Sequence, residues 1–465
     1  MAGIENQVIT LTPKKVALAI EACWLADVAM FLWGPPGTAK SQISQAVATA
    51  RGVAHIDLRL SQMDPCDLRG IPYPTVVGGV QGVRWSTPYI MPKDLDVNVV
   101  VTARGHEIVH FGNPVGSNGI HYCTAPDIKL TPLVPGQEIR NATYTLDRVE
   151  FDLFDTATDE LTAGEVRMVV TGETKALLAL EEFNSAPQTV VAASYQLILD
   201  KRLGEYIVPK GVFLMGLGNR DTDKGITFKM ATPVANRFIH VEMAAGSAAF
   251  DDWQEWAVIS GVHAEVVGYL STFKNHLFNF EPGSASRGFT TPRSWEFVSK
   301  VLKANQGAPD EIINALICGA IGHGTGTQFD AFRKVAKDLP KADEILSGRL
   351  KVMPKSSSTT EEGKVETSLS FAMTTTLCYE LRDRLNRLKT EAANAGLDWK
   401  ETEAFADWSA AAGHFLEFMM NNFQHEIIVM GARTAIKLHS LPFNGKNVPV
   451  FKDFSRQYGK LILSN

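Results

Sequence analysis

Short apolar runs alternate with amphipathic stretches through the first part of the chain. Residues 28–32, "VAMFL", are an unbroken apolar run that predicts a buried strand. The following "SQISQAVATARG" (41–52) predicts a helix, because its apolar residues recur at helical spacing. Residues 12–26 predict an earlier helix that starts with a Thr-Pro N-cap. Residues 54–60 predict a second strand, followed by a polar loop through "SQMDPCDLRGIPYP".

The same alternation returns after residue 173. Apolar runs in "ALLALEEF" (176–183), "GVFLMGLGNRD" (211–221) and "RFIHVEM" (237–243) predict strands, and "APQTVVAASYQLILDKRLGE" (186–205) predicts a helix between the first two. Strands that alternate with helices form parallel sheets covered by helices. The sequence therefore predicts an α/β fold with a parallel sheet core.

Two other regions differ from this core. Alternating runs such as "NVVVTA" and "EVRMVVTG", separated by Gly, Asn and Pro turns, predict a β-rich insertion. After about residue 246 the pattern becomes helical. We therefore predict an α/β core over 1–92 and 174–245, a β-rich insertion over 93–173, a helical domain over 246–350 and a C-terminal helical extension over 351–465.

Within the helical part, two features have a structural interpretation. The polar run "SSSTTEEGK" (356–364) predicts a flexible loop. Trp399, Trp408, Phe415 and Phe418 recur at helical spacing, which favours a packed core, and a docking face for another protein is the alternative.

Composition narrows the class of protein. The 465 residues carry a formal net charge of −6, so there is no overall basic footprint for nucleic acid, although a local groove is compatible with this charge. The five cysteines are scattered without a C-x-x-C pair, which favours reduced thiols and a cytoplasmic location. We expect neither a signal peptide nor a membrane span, because no stretch has the required pattern or length.

The stretch "GPPGTAKS" stands between the first strand and the helix after it, where a phosphate-binding loop belongs. The usual pattern is G-x-x-x-x-G-K-[ST], and Ala39 replaces its last glycine. We interpret this replacement as tolerated, with ordinary helical dihedrals at Ala39, and a Gly/Pro turn followed by an unrelated lysine is the alternative. Backbone N–H groups would cradle phosphate, Lys40 would reach the β- and γ-phosphates, and Ser41 would ligate Mg²⁺. The expected nucleotide-binding residues are Gly34, Pro35, Pro36, Gly37, Thr38, Ala39, Lys40 and Ser41.

Hydrolysis requires more than phosphate binding, and five further residues are candidates for it. Glu181 and Glu182 end an apolar strand, at the sheet edge where open α/β sheets bind ligands. We expect Glu181 near Mg²⁺ through water and Glu182 to polarise the attacking water, with a solvated acidic strand end as the alternative. Asn219 ends the next strand, where it would hold the water or the γ-phosphate or simply form a turn. Arg237 and Arg293 are candidate γ-phosphate cations, although lone arginines are usually surface residues.

These motifs, in this order, resemble the MoxR group of AAA+ ATPases. "WGPPGTAKS" is similar to that group's phosphate loop, in which alanine before the lysine is common. "DLRLSQMDPCDLRGIPYP", "LEEFNSAPQTVVAASYQLILDKRLGEYIVPKGVFLMGLGNRDTDKG", "MATPVANRFIHVEM" and "FTTPRSWEFVSKVL" resemble its other characteristic segments. The resemblance covers roughly residues 12–92 and 174–350.

The resemblance implies ATP hydrolysis with Mg²⁺ at subunit interfaces of a homo-oligomeric ring, usually a hexamer. It makes Asn219 the first sensor, Arg237 the finger that reaches the neighbour's ATP, and Arg293 a sensor in a helical lid. It also implies chaperone-like remodelling of a protein client, often with a partner that carries a von Willebrand A domain. Glu181 departs from the group's usual aspartate, and the insertion over 93–173 is much longer than the group's connection there.

Two other functions fit the same residues. One is a nucleic-acid motor subunit of restriction or helicase type, which the acidic composition disfavours. The other is a ring scaffold that binds nucleotide with little turnover, which the Glu181 departure permits. In the insertion, His106, His110, His121 and Cys123 form a candidate metal site, although histidines in β loops are mostly structural.

Overall fold

The protein is described by a computed structural model and divides into two compact units, Met1–Ala244 and Ala245–Asn465. Each unit is described by itself below. The structure describes residues 8–77, 79–86, 88, 90–102, 106–107, 127–144, 148–223, 228, 230–280, 287–305, 307–336, 339–353 and 367–463. The predicted loop over 356–364 lies outside these residues, and the four-part division stays a prediction.

The first unit contains all named strands of the described chain. They are β1 (Ile9–Leu11), β2 (Met30–Trp33), β3 (Ala54–Arg59), β4 (Pro72–Val77), β5 (Val80–Trp85), β6 (Leu95–Thr102), β7 (His106–Glu107), β8 (Asp127–Pro132), β9 (Gln137–Tyr144), β10 (Arg148–Asp155), β11 (Glu160–Leu161), β12 (Glu165–Gly172), β13 (Lys175–Glu181), β14 (Arg202–Leu203), β15 (Tyr206–Ile207), β16 (Gly211–Gly218) and β17 (Ile239–Met243). Its helices are α1 (Pro13–Leu25), α2 (Lys40–Ala50), α3 (Pro65–Arg69), α4 (Gln188–Asp200) and α5 (Thr232–Ala235).

A six-stranded parallel sheet forms the core of this unit. Its order is β1-β17-β2-β16-β13-β3, and every neighbouring pair is parallel. Successive residues of β13 enter different hydrophobic clusters, with Leu177 on one face and Leu178 on the other. Both faces are therefore buried, which explains why the central strands are continuous apolar runs. The predicted α/β fold class, a parallel sheet core with a β-rich insertion and a helical C-terminal region, is confirmed.

The insertion between β5 and β13 forms its own small β structure. A three-stranded antiparallel sheet has the order β6-β12-β8, and β10 pairs with β7, β9 and β11 in another. A separate hydrophobic cluster that includes Val101, Ile128, Leu153 and Val166 holds these strands together. The predicted β-rich character is thus confirmed for the described part of the insertion.

The segment after β3 was expected to be a polar loop, and this expectation is wrong. α3 forms there because Asp64 and Asp67 make a capping box around a proline at its start. β4 and β5 then form an antiparallel hairpin, in register from Pro72 opposite Trp85 to Val77 opposite Val80. The two prolines of β4 are compatible with a hairpin because neither strand pairs with the main sheet.

The named elements of the second unit are all helices, and an isolated antiparallel bridge joins Asn279 to Thr290. Its helices are α6 (Phe250–Ile259), α7 (Ala264–Thr272), α8 (Pro292–Ala304), α9 (Asp310–Ile321), α10 (His323–Ala336), α11 (Ala342–Leu346), α12 (Thr367–Asn394), α13 (Glu403–Asn422), α14 (His425–Arg433) and α15 (Phe451–Leu463). Trp408, Phe415 and Phe418 are at most 3% exposed and Trp399 packs against the same cluster, so the predicted aromatic core is confirmed. Across the part of the chain that the structure describes, no helix combines the length and apolarity that a membrane span needs.

Candidate active site

The candidate phosphate loop lies between the carboxyl end of β2 and the start of α2. Gly34 follows directly after Trp33, and the chain turns through Gly37, whose φ of 76° is in the left-handed region. The hydroxyl of Thr38 donates a hydrogen bond of 2.8 Å to the carbonyl of Pro35, which closes the loop on itself. The loop therefore adopts a compact turn at the positive end of a helix, the geometry that favours anions.

Ala39 differs from the expectation of ordinary helical dihedrals. Its φ of 70° and ψ of 28° are left-handed, and it is the N-cap of α2 rather than part of the helix. The loop requires this conformation because the backbone must reverse twice, at Gly37 and Ala39, before Lys40 begins the helix. A residue with a Cβ has a penalty of roughly 1–2 kcal/mol in this region. Ala39 is therefore accommodated with strain, which explains why glycine is usual there.

Lys40 points back over the loop and joins two strands. Its ammonium donates hydrogen bonds to the carbonyls of Gly34 at 2.7 Å and Pro35 at 3.0 Å. It also donates to Oδ1 of Asn219 at 3.1 Å, across the pairing of β2 with β16. The lysine is thus held where the loop, the strand end and any bound phosphate would meet.

Glu181 is a buried carboxylate at the last position of β13. It is 7% exposed, and its Oε1 has no hydrogen-bond partner. Burial raises the pKa of Glu181 and nearby Asp57 raises it further, while a hydrogen bond from Ser41 and the charges of Lys40 and Arg59 oppose the shift. A carboxylate oxygen without a partner beside a serine hydroxyl offers the oxygen ligands that Mg²⁺ prefers. The residues present therefore fit a Mg²⁺ ion bound chiefly to nucleotide phosphates.

Glu182 has a different environment from its neighbour. Its side chain is exposed, and its backbone is left-handed, with φ of 54° and ψ of 34°. The hydroxyl of Ser61, in the turn after β3, donates a hydrogen bond to Oε2 of Glu182. A non-glycine residue in this backbone region stores strain that often marks a functional position. The side chains of the consecutive glutamates therefore point in different directions, Glu181 inward and Glu182 toward solvent.

The backbone of Asn219 is held by the side chain of Asn184, a residue that the sequence did not single out. Asn184 is 2% exposed, and its amide bonds the backbone of Asn219 twice, accepting from N–H at 3.1 Å and donating to the carbonyl at 2.7 Å. These two bonds fix the end of β16, so that the Asn219 side chain faces Lys40. A single asparagine in "EEFNSAP" carries no pattern that distinguishes this role in the sequence.

A second missed feature lies under α2. Ser44 donates a hydrogen bond of 2.8 Å to the carbonyl of Ser41, and its oxygen lies 2.9 Å from Nε2 of His55 on β3. Because the Ser44 proton is used on Ser41, Nε2–H of His55 is the donor in the second bond. Burial lowers the pKa of His55, and Asp57 partly opposes that shift. A neutral imidazole therefore supports the first turn of the helix that carries Lys40 and Ser41.

The two candidate arginines differ in their setting, because Arg237 belongs to the first unit and Arg293 to the second. Arg237 is exposed just after α5, where its guanidinium donates to the carbonyl of Pro233 at 3.3 Å. Arg293 is exposed in the first turn of α8, which Thr291 and Ser294 cap, and belongs to the second unit. By contrast Arg220, beside Asn219, is paired with Asp223 at 2.9 Å and Glu242 at 3.2 Å.

The candidate metal site in the insertion is not tested by the structure and stays a prediction. His110, His121 and Cys123 lie outside the described residues, and His106 is described only as part of β7. No group of three or more His, Cys, Asp or Glu with metal-binding geometry occurs among the residues that the structure describes. This finding is compatible with the Mg²⁺ site above, because nucleotide phosphates and water supply most of its ligands.

Comparisons with known proteins give fold-level likenesses only. No protein-family model matches the chain, and no curated protein matches its sequence. Solved structures that align with it include a point mutant of Thermotoga maritima RuvB, with 12% identity over 93% of this chain and 94% of that one and a TM-score of 0.31. Brucella abortus NtrX, solved with ADP, aligns with 10% identity over 96% of this chain and 68% of that one, at a TM-score of 0.29. These identities and TM-scores are too low to support any conclusion about function.

Proposed function

We propose that this protein is an ATP-hydrolysing AAA+ ring ATPase of MoxR type, which remodels a protein client or partner complex in the cytoplasm. The observation that carries the proposal is the hydrogen bond of 3.1 Å between Lys40 and Asn219. It brings the phosphate loop and the next strand end together beside Glu181, which accepts a hydrogen bond from Ser41. A phosphate loop, a buried carboxylate and a strand-end amide at one sheet edge are the parts that nucleotide hydrolysis requires.

Each residue has a separate task in the proposed reaction. Lys40 turns from the loop carbonyls to the β- and γ-phosphates. Ser41 would hold Mg²⁺ directly, and Glu181 would hold it through water. When bound, Mg²⁺ neutralises charge that develops on the phosphate oxygens. Glu182 orients and polarises the attacking water once its carboxylate leaves Ser61, and Asn219 holds the γ-phosphate or that water.

The proposed ring follows from the position of Arg237. Its exposed side chain lies outside the group formed by Lys40, Glu181 and Asn219, so it is available to a neighbouring subunit. An arginine finger supplied by a neighbour contributes roughly a thousandfold or more to the rate. We therefore propose that hydrolysis requires assembly, with six subunits as the number typical of the resembling group and Arg293 as the lid sensor.

The proposed client is a protein. The net charge of −6 disfavours direct binding to a nucleic-acid backbone. The resemblance to the MoxR group supports remodelling work, with a partner that carries a von Willebrand A domain as a candidate.

ATP binding and hydrolysis by wild type and Lys40→Ala test this proposal. We expect wild type to hydrolyse ATP in the presence of Mg²⁺ and Lys40→Ala to lose both binding and turnover, because its ammonium contacts the phosphates. Lys210→Ala is the matched control, because Lys210 is an exposed lysine of the same unit away from the loop. Equal hydrolysis by all three proteins would overturn the assignment of the loop. Tight ATP binding without turnover at any protein concentration would favour the scaffold function instead.

A further inference from the structure

A hydrogen-bonded histidine connects the phosphate loop with the segment that carries Arg237. Trp33 is the last residue of β2, directly before the loop, and its indole Nε1–H donates to Nδ1 of His240 at 2.9 Å. Nε2 of His240 lies 2.8 Å from the carbonyl of Ala235. Because Nδ1 accepts from the indole, Nε2 carries the proton and donates to that carbonyl. The ring is therefore neutral and in one tautomer, with both nitrogens used.

The carbonyl of Ala235 ends a very short helix. α5 spans only Thr232–Ala235, so it has little stability of its own and depends on its surroundings. The same carbonyl also accepts the N–H of Phe238 at 3.2 Å, which forms the turn that contains Arg237. The histidine thus holds the carboxyl end of this helix two residues before the arginine.

Aromatic packing keeps this link rigid. His240 stands opposite Phe31 where β17 pairs with β2, and its ring stacks on Trp33 with centroids 6.0 Å apart. Phe31 contacts Trp33 at 4.4 Å and Phe238 at 5.4 Å between centroids. A shift of Trp33 therefore moves the partner of the Ala235 carbonyl, rather than being absorbed by loose packing.

We propose that His240 is a positioning residue that couples the phosphate loop of one subunit to the arginine that this subunit presents to the next. The inference rests on the proposed function, because it requires Arg237 to act on a neighbour's ATP. Nucleotide entering the loop displaces Lys40 from its carbonyls and adjusts the strand end at Trp33. The Trp33–His240–Ala235 chain passes that adjustment to α5, so that the finger is placed when its own subunit is loaded.

Two conservative substitutions distinguish the contributions of the two hydrogen bonds that His240 makes. His240→Asn places an amide oxygen near the Nδ1 position, so it keeps the bond from Trp33 and loses the bond to Ala235. His240→Gln reaches the Nε2 position, so it keeps the bond to Ala235 and loses the one from Trp33. If both bonds are needed, each variant lowers the ATPase rate of the assembled ring about fivefold. The loss is smaller than the roughly thousandfold rate enhancement of an arginine finger, because the finger is misplaced and not removed. ATP affinity of the dilute subunit should change less than twofold.

His414→Gln is the matched control. His414 also bonds a backbone carbonyl, that of Leu346 at 2.9 Å, but in the second unit. It should alter thermal stability without altering the ATPase rate. Trp33→Phe is the alternative variant if the histidine variants fail to fold, because it removes the indole N–H and retains an aromatic ring. It should lower the rate as His240→Gln does.

The decisive measurement repeats the histidine substitutions in an Arg237→Ala background. There we expect no further loss of rate, because a residue that acts through Arg237 has nothing left to position. An equal fivefold loss in both backgrounds would overturn the inference. It would also be overturned if Arg237→Ala inactivates the ring while the two histidine variants and Trp33→Phe all keep the wild-type rate. If Arg237→Ala itself hydrolyses ATP at the wild-type rate, the proposed finger is wrong and the inference fails with it.

Discussion

The carboxyl edge of the parallel sheet and the helical core around Asn422 both bury polar side chains, but they satisfy them differently. Asn422 is 1% exposed, donates to the carbonyls of Lys351 and Phe418 and accepts from the N–H of Met353. Glu181 is almost as buried, yet one of its oxygens has no partner. A buried polar group without a partner is unfavourable unless a ligand satisfies it. Asn422 is thus satisfied within the protein, whereas Oε1 of Glu181 is free to contribute to the Mg²⁺ site of the proposed reaction.

The backbone shows a related feature at the sheet edge. Ala39 and Glu182 both have left-handed dihedrals that residues with a Cβ rarely adopt. Both flank the point where Lys40 and Glu181 meet Ser41. Backbone strain of this kind often marks a binding site, where it trades stability for activity.

The largest expected effect is on turnover. Glu182→Gln should lower the ATPase rate roughly hundredfold or more, the range for a lost acid–base group, because an amide cannot polarise the attacking water. ATP binding should persist, since Lys40 and Ser41 are unchanged. Glu205→Gln is the control, because it removes a carboxylate from an exposed pair with Arg84 that contributes little. Wild-type turnover by Glu182→Gln would show that the exposed glutamate is not the base.

Asn422→Ala should lower the stability of the protein and leave ATP binding unchanged, whereas Glu182→Gln affects turnover. It leaves the buried N–H of Met353 without a partner, which costs about 1–3 kcal/mol. The second unit should therefore unfold at lower denaturant concentration, while the ATP affinity of the folded protein stays unchanged. Unfolding followed by circular dichroism and ATP binding by calorimetry measure the two effects. A loss of ATP affinity at temperatures where the variant is folded would remove the distinction drawn between the two regions.

Glu181→Gln should stabilise the nucleotide-free protein at neutral pH. The folded-state pKa of Glu181 is raised by burial, so its favourable contribution is present below the unfolded value and is lost as pH rises through the folded pKa. Gln removes the buried charge, so the melting temperature should rise at pH 7–8 and the gain should shrink as the pH falls. Exposed Glu182→Gln should show no such pH-dependent gain. A stabilisation that stays constant down to acidic pH would exclude the buried charge as its cause.

Ala39→Gly should have the smallest effect. Glycine adopts the left-handed region freely, so the substitution should stabilise the first unit by roughly 1 kcal/mol after the entropy of the unfolded chain is included. Ala46→Gly, at an exposed position inside α2, should destabilise by a similar amount because its conformation is helical. Urea unfolding should show a higher free energy of unfolding than wild type for Ala39→Gly and a lower one for Ala46→Gly. Equal destabilisation by both would mean that Ala39 is unstrained in solution.

The sequence predicted the parts of the fold that periodicity encodes. The strands that carry Glu181 and Asn219 are apolar because both faces of the sheet are buried, so their ends were visible in the sequence. The contacts of Asn184, His55 and His240 were not visible, because each depends on a partner from another element that only the tertiary fold brings close. The β4–β5 hairpin was missed because its prolines and exposed apolar residues do not alternate as a strand usually does.

Ala39 shows the limit of reasoning from residue type alone. Alanine favours helices, so its position before Lys40 suggested that the helix starts there. The loop geometry overrides this propensity, because the turn through Gly37 leaves only a left-handed conformation at the N-cap.

The most direct test of the account mixes two inactive proteins. Arg237→Ala keeps its own Glu182 and lacks the finger, whereas Glu182→Gln keeps the finger and lacks the base. Each alone should hydrolyse ATP at a small fraction of the wild-type rate. If sites are shared between subunits, mixing them under conditions of assembly should restore activity, because some interfaces combine an intact Glu182 with a neighbour's Arg237. Assembled mixtures that stay inactive, or an Arg237→Ala protein that is active alone, would contradict hydrolysis at subunit interfaces.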